Sequence, residues 1–452
     1  MKALLIQPPS CDPLTDQFFL FEPLALEYLG AGLELDGHTV EVLDARLEPD
    51  IDDAFRRFQP QLVGLTGFTS HVNIVRRIAA RLKALYPNVR VVVGGHHATV
   101  QPEDFNEPAF DAVVIGEGVF TLREIVSAIA AGNSLRAIPG IAVPNPSGML
   151  FSAARRYTDL DALPFPDRTL TARYRKHYFS EWFKPLASVR TSLGCTARCN
   201  FCALWSITGG KYLRRDPVAV VEELRTIAEP NVFFCDDESM CDAKRMNRLA
   251  DLIREAGIKK NYFLYGRVDT IVKHPELFAK WAQIGLAQVF VGMEDFSDAR
   301  LTAMNKGVTT AQQVQAVEIL DSLGVMMYAS YMVDPAYTRE DFRNLLAYVR
   351  RLKHKYATFT VMTPLPGTQL HTERERELLS RKPELYDMLH ALLPTRLPLA
   401  EFYQEMADLW AKAVPFHRII PTLARFGLRG MLQRIRLFGI VLKKIRAAHL
   451  DY

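Results

Sequence analysis

The apolar positions of this chain fall into two successive patterns. In the first third, short runs apolar at nearly every position alternate with helix-like stretches: KALLIQ (2–7), TVEVLDA (39–45), LVGLTGF (62–68), VRVVVGG (89–95) and AVVIG (112–116). Between them lie segments such as LALEYLGAGLELDG (24–37) and VNIVRRIAARLKALYP (72–87). Strands apolar on both faces and separated by helices predict a parallel, doubly wound α/β sheet covered on both sides. Ligands of such sheets sit beyond the carboxyl ends of the strands. Those ends here are Gln7-Pro8-Pro9, Thr66 to Ser70, and Gly94-Gly95-His96-His97.

A second alternation runs from residue 187 to about 370, after a hairpin-like turn at VPNPSGM and a proline-punctuated crossing at LDALPFPDR. Its strands are ASVRTSL, NVFFCDDE, NYFLYGRV, QVFVGME, VMMYASYMV and ATFTVMT. Six strand–helix repeats predict a partial (β/α)6 barrel with its chemistry at the strand C-termini. The remainder reads as helices. The expected organisation is a front domain over 1–145, a linker over 146–186, the barrel over 187–370 and a helical region over 371–452.

Composition adds little to this picture. With 49% apolar and 23% charged residues the balance is that of an ordinary globular chain, and a formal charge of +4 does not argue for nucleic acid. The start, MKALLIQPPS, is broken by two prolines and is expected to be neither signal peptide nor anchor. No apolar run reaches the roughly 18 residues of a spanning helix, so the expected location is cytosolic.

The cysteines change the picture. There are six in 452 residues, and three of them, Cys195, Cys199 and Cys202, lie within the stretch TSLGCTARCNFCALW just after the first barrel strand. Such a triplet is poor material for disulfides and suits metal or redox chemistry. Three thiolates at this spacing can ligate three irons of a cubane cluster, which ordinarily takes four cysteines. No fourth lies at a matching spacing, so one iron would stay open to a substrate. A closed zinc site wants two close pairs or a Cys/His set, and the loop holds no histidine.

Cys195, Cys199, Phe201 and Cys202, as C-x3-C-x-aromatic-C after a barrel's first strand, resemble the radical S-adenosylmethionine (SAM) superfamily. The resemblance implies a 4Fe-4S cluster whose unique iron chelates the methionine end of SAM, and an electron donor such as flavodoxin or ferredoxin. It also gives the other strand ends a meaning. Asp236, Asp237 and Glu238 would face the methionine ammonium, Arg267 and Glu294 would contact nucleoside and carboxylate groups, and the Pro366-Gly367 turn would bound the adenine pocket. A solvated acidic turn is the alternative for the three carboxylates. Cys235 reads as strand packing; Cys241 is open to either reading.

In the front domain, GGHHATVQPEDF and DAVVIGEGVFTLREI resemble the cobalamin-binding domain of cobalamin-dependent radical enzymes. The resemblance assigns cofactor contacts to Gln7, Thr66, Ser70, Gly94, Gly95, His96, Gly116 and Glu117, with Val119 standing where relatives often carry a second glutamate. The glycines alone would equally fit a general nucleotide fold. Asp36-Gly37-His38 begins like the signature that sets histidine under cobalt. Glu41 occupies its final glycine position, and the stretch precedes the second strand, so it reads as a turn and the expectation is cobalamin without a histidine lower ligand. A methylthiotransferase would bring more front-domain cysteines than Cys11.

From Phe416 to Leu450 there are eight Lys or Arg and no acid. Leu428, Met431, Ile435, Phe438, Leu442 and Ile445 share one side of a helical wheel, with Arg429, Arg436, Lys443 and Lys444 largely opposite. That pattern reads either as an interfacial helix making peripheral contact with the inner membrane or as a helix docked on the barrel. Aliphatic rather than aromatic residues fill the gaps between the charges, against nucleic acid.

The combined reading is a cobalamin-dependent radical methyltransferase acting on an unactivated carbon of a small-molecule or lipid substrate. FFLFEPLALEYLG and HALLPTRLPLAEFY additionally resemble hopanoid C-3 methylases, which act on a polycyclic lipid. The alternatives are an oxidative cyclase of magnesium porphyrin esters, built from the same two domains, and a cobalamin-binding sensor.

Overall fold

The computed structural model describes residues 1–155, 159–352, 354, 356–413 and 419–452. Residues 156–158 of the expected linker and 416–418 of the basic tail lie outside the described residues. The chain divides into two compact units, one built from Met1–Thr196, Ala203–Ser239 and Lys244–Tyr262, the other from Ala197–Cys202, Met240–Ala243 and Phe263–Tyr452.

In the first unit the strands Lys2–Gln7, Thr39–Asp44, Leu62–Thr66, Arg90–Gly94 and Ala112–Val114 form a parallel sheet in which the second strand lies outside the first. Ala3 pairs with Leu62 and Val63 with Val91. The two faces bury different sets, Leu4, Ile6, Val63 and Val91 on one and Ala3, Leu5, Val42 and Val92 on the other. That double burial is why the strands read as unbroken apolar runs. The order reverses between Lys2–Gln7 and Leu62–Thr66, the switch point where such sheets take ligands. Past residue 140 the sheet gains an antiparallel hairpin, Ile141–Val143 with Leu150–Phe151, around the VPNPSGM turn.

The second sheet takes its six strands in chain order: Leu186–Val189, Asn231–Phe234, Asn261–Gly266, Leu286–Glu294, Met326–Val333 and Tyr356–Val361. A parallel sheet wound in chain order with helices between its strands is an open barrel. The first two strands belong to the first unit, where a buried ionic network ties them to the front of the chain. Arg175 donates to Glu22 at 2.9 Å and to Glu229 at 2.6 Å, Arg168 donates to Glu223 and to the Ser188 carbonyl at 2.7 Å each, and the Ser188 amide donates to Glu22. Beside it, burial pushes the Glu27 carboxyl up to about 8.

In the second unit Val289 pairs with Met327, Val291 with Ala329 and Tyr331 with Phe359. The register shifts between Gly292 and Glu294, where Glu294 takes a φ of 62°. Such a bulge re-aims a side chain at the end of a strand. The helix Leu399–Ala413 packs on Arg339–Leu352, with Phe402 edge-on to Phe342 at 5.5 Å. The helix Ile419–Ala447 breaks at Gly427 and packs back on Leu399–Ala413. Its far end is docked. Ile445 and Ala448 are buried, His390 bridges Asp387 and Asp451 at 3.0 Å each, and the Tyr452 hydroxyl donates to the Ala391 carbonyl at 2.9 Å. Leu428, Leu432 and Ile435 remain 54–60% exposed. Of the six apolar residues read on one side of the tail, Ile445 is buried, Met431, Phe438 and Leu442 are half-buried, and Leu428 and Ile435 face solvent. No helix among the described residues is long and apolar enough to cross a membrane.

Candidate active site

The cysteine loop leaves the first barrel strand through a short arm, Ser192–Leu193, paired antiparallel with Leu213–Arg214. The turn at Gly194 needs glycine: φ is +92°, and a β-carbon there would run into the Lys211 carbonyl. Asp236 and Asp237 organise this arm. Asp236 accepts from the Thr191 amide at 2.6 Å, the Thr191 hydroxyl at 2.5 Å and the Ser192 amide at 2.8 Å. Asp237 accepts from the Gly194 amide at 2.6 Å, and burial pushes its carboxyl up to about 6. Two of the three carboxylates expected to face the methionine ammonium thus hold the start of the cysteine loop. Glu238 and Ser239 are buried beyond them, and no described residue bonds the Ser239 hydroxyl.

In the second unit the residues from Cys199 onward meet the later strand ends. The Arg267 guanidinium lies 3.8 Å from the Cys199 sulfur, and it donates to Asp269 at 2.9 Å and to the Lys306 carbonyl at 2.7 Å. Glu294 forms a buried ion pair with Lys306, whose ammonium stands 6.0 Å from the centre of the Phe201 ring. Phe201 packs with Met304, Met332, Met362 and Leu370. The Pro366-Gly367 turn, with Gly367 at φ +82°, leads into a helix whose Leu370 amide donates to the Asn200 carbonyl at 2.9 Å. Arg267, Glu294, Phe201 and the Pro366-Gly367 turn, separate in sequence, therefore come together around Cys199.

The front-domain residues cluster at the ends of the third to fifth strands. Gly95 has φ +101°, and a β-carbon there would come within 2.6 Å of Thr66 Oγ1 and 3.1 Å of the Gly67 backbone. Thr99 donates to the Gly95 carbonyl at 2.9 Å and accepts from the Gly116 amide at 3.0 Å. Thr99 thus ties the Gly95 and Gly116 backbones together, and close packing against Thr66 and Gly67 is what leaves no room for a β-carbon at Gly95. Glu117 caps the helix Val119–Ala130 by accepting from the Val119 and Phe120 amides at 2.5 and 3.2 Å. The Ser70 carbonyl accepts from the Cys11 thiol at 2.8 Å, and the Gln7 amide stays near home on Pro8 at 3.4 Å. His96 is exposed and stacks on Phe68 at 4.9 Å. His97 is buried, with its nitrogens 3.1 Å from Thr69 and 2.8 Å from Asp104, while His38 sits 3.1 Å from the N-terminal ammonium, in the turn expected of it.

Arg190 was not visible from sequence. It ends the first barrel strand, its guanidinium lies 5.1 Å from the Tyr28 ring centre, and its charge acts on His96, Glu117, Cys235 and Asp237. Its signal would have been a lone cation between a strand and a metal-type motif.

The donor set fits the cluster. Cys195, Cys199 and Cys202 form no disulfide, Cys199 buried and the other two half-buried. Among the described residues no three His, Cys, Asp or Glu side chains converge as ligands of a single ion. Thiolates of a cubane attach to separate irons, whereas the ligands of a zinc site converge on one ion. Gly94, Gly95 and Gly116 likewise lie at the carboxyl ends of the front strands, where a doubly wound sheet takes its ligand.

A corrin-type sheet at the front and an open barrel carrying three loop thiols define a radical SAM enzyme with a cobalamin-binding domain. Residues 18–126 match the B12 binding domain and residues 189–349 the radical SAM superfamily. The chain is 30% identical to the hopanoid C-3 methylase of Methylococcus capsulatus, over 96% of this chain and 86% of that protein. It is 31% identical to an uncharacterized methyltransferase of Pyrococcus horikoshii, over 82% of each. The fold matches that of the radical SAM methyltransferase TsrM from Kitasatospora setae, solved with cobalamin and a 4Fe-4S cluster bound, with a TM-score of 0.73 at 20% identity and 99% coverage of both chains. The chain belongs to the cobalamin-dependent radical SAM methyltransferase family, whose cofactors are the cluster, SAM and cobalamin.

Proposed function

We propose that this enzyme methylates an unactivated carbon of a hopanoid or a related polycyclic lipid. The similarity to hopanoid C-3 methylase carries the reading, because at 96% of the chain it includes the helical C-terminal region as well as both cofactor domains. An unactivated carbon has no lone pair with which to attack a sulfonium methyl. When bound, the cluster with SAM supplies a hydrogen-abstracting radical, and cobalamin supplies the methyl group. The chain's own residues position these groups. Cys195, Cys199 and Cys202 hold iron, Arg267 keeps a cation at the Cys199 sulfur, and Gly94, Gly95 and Gly116 let backbone approach the corrin.

The test is product analysis with the reconstituted enzyme and an unmethylated hopanoid. A gain of one methyl is expected, with S-adenosylhomocysteine and 5′-deoxyadenosine formed together and deuterium from the target carbon appearing in the latter. Gain of oxygen instead would establish the cyclase reading, and a methylated product without label transfer would overturn the radical mechanism.

A lipid substrate also gives the exposed face of the C-terminal helix a role. Leu428, Leu432 and Ile435 form an exposed row, and Arg429, Arg436 and Lys443 recur every seven residues alongside it. Apolar and basic rows side by side suit the surface of an anionic membrane, where each basic residue contributes about 1 kcal/mol. Replacing Leu428, Leu432 and Ile435 together by serine is expected to abolish cosedimentation with anionic vesicles, and salt should weaken binding of the unaltered protein. Undiminished, salt-insensitive binding by the triple variant would refute the contact.

A further inference from the structure

The helix Asp298–Ala303 ends beside the cysteine loop, and the two share their unsatisfied groups. The last carbonyls of any helix lack partners within it. Here the Ala303 carbonyl accepts from the Asn200 side chain at 2.9 Å, and the Met304 carbonyl from the Asn200 amide at 3.1 Å. Asn305 follows in the left-handed region at φ 52°, a post-helical position usually given to glycine. Glycine would close the helix as well, but it has no side chain. The Asn305 amide group reaches back and donates to the Arg198 carbonyl at 2.7 Å. The next residue, Lys306, accepts from Arg267 through its carbonyl at 2.7 Å and pairs with Glu294 through its ammonium. Arg267 in turn stands 3.8 Å from the Cys199 sulfur.

We propose that the turn Ala303–Lys306 is a positioning clamp for the iron–sulfur cluster: it fixes the backbone on either side of Cys199, at Arg198 and Asn200, and aims Arg267 at the Cys199 sulfur. Asn200 and Asn305 form a reciprocal pair, each side-chain amide donating to a carbonyl of the other's segment. None of these residues ligates iron, so they act through the loop that does. The clamp controls how firmly the cluster is kept and how strongly a cation acts on one thiolate, and positive charge or hydrogen bonding at cluster sulfur raises the reduction potential. The inference rests on the cluster and is independent of which substrate is methylated.

Asn305→Gly separates this role from folding, because glycine keeps the left-handed turn and removes only the amide. The full-length variant, reconstituted anaerobically, is expected to melt no lower than the unaltered protein before iron is added. It should lose iron to a ferrous chelator about tenfold faster, the lower end of what outer partners of metal sites contribute. Its midpoint potential, read by electron paramagnetic resonance, should fall. Asn200→Ala should behave in the same way. Asn305→Asp, which sets an acceptor against the Arg198 carbonyl, should release iron faster still. Iron release and potential matching the unaltered protein in Asn305→Gly and Asn200→Ala would overturn the clamp. An unaltered chain that takes up no iron would overturn the clamp together with the cluster assignment.

Discussion

Exchanging Cys195, Cys199 or Cys202 for alanine, one at a time, is expected to remove the cluster and all reductive cleavage of SAM. Each thiolate would hold a separate iron, so a loop with two of them leaves two cubane corners without protein ligands instead of one. Two of the other cysteines are engaged elsewhere. The Cys11 thiol is held on the Ser70 carbonyl, and burial pushes the Cys235 thiol far above its usual range, against the thiolate that iron requires. Iron and sulfide content after anaerobic reconstitution, with 5′-deoxyadenosine formation under a strong reductant, measures both parts. A single variant that cleaves SAM at the unaltered rate would end the three-thiolate assignment.

The second large effect is on stability and lies away from the cysteines. The Glu22 side chain has no exposed surface and sits between Arg168 and Arg175 while accepting from the Ser188 amide. Burial pushes its carboxyl up, against the pull of the two guanidinium groups. Glu22→Ala removes the shared anion and leaves two buried cations with Glu223 and Glu229 alone. Breaking a buried pair in this way costs about 3–5 kcal/mol, a large part of a typical domain's stability. Glu22→Gln, which keeps the shape and an acceptor for Ser188, should lose less. Urea unfolding checks both. A Glu22→Ala midpoint within error of the unaltered protein would show that the network contributes nothing to the fold.

The strands of both sheets were legible because each is a β-branched or aromatic run bounded by turn residues, and the order of runs and helices was enough for the two α/β architectures. The cysteine motif was legible because its ligands are close in sequence. What sequence could not show were contacts made across long separations. The hairpin edge at Ile141–Val143 and Leu150–Phe151 reads only as a turn until the sheet that receives it is known. Asp236 and Asp237 look like free carboxylates at a strand end, yet they accept from Thr191, Ser192 and Gly194, more than forty residues earlier. Asn305, in the plain stretch MNKG, gains its meaning from Arg198, 107 residues away. The tail's apolar side was legible as a pattern, but which part of it is covered depends on the helix Leu399–Ala413, and burial is complete only at the far end.

The helix Leu24–Leu35 carries Gly30 and Gly32 in its middle, each less favourable there than alanine by about 1 kcal/mol. Both are there for closeness. A β-carbon on Gly32 would come within 2.7 Å of the Val119 side chain, and one on Gly30 would run into Leu170. The helix thus gives up its own propensity to let a neighbouring helix and a later segment lie against its backbone. It consequently depends on those partners, more than on its own propensity, for its stability. Alanine at Gly32, though it raises the helix's own propensity, is therefore expected to lower the protein's stability.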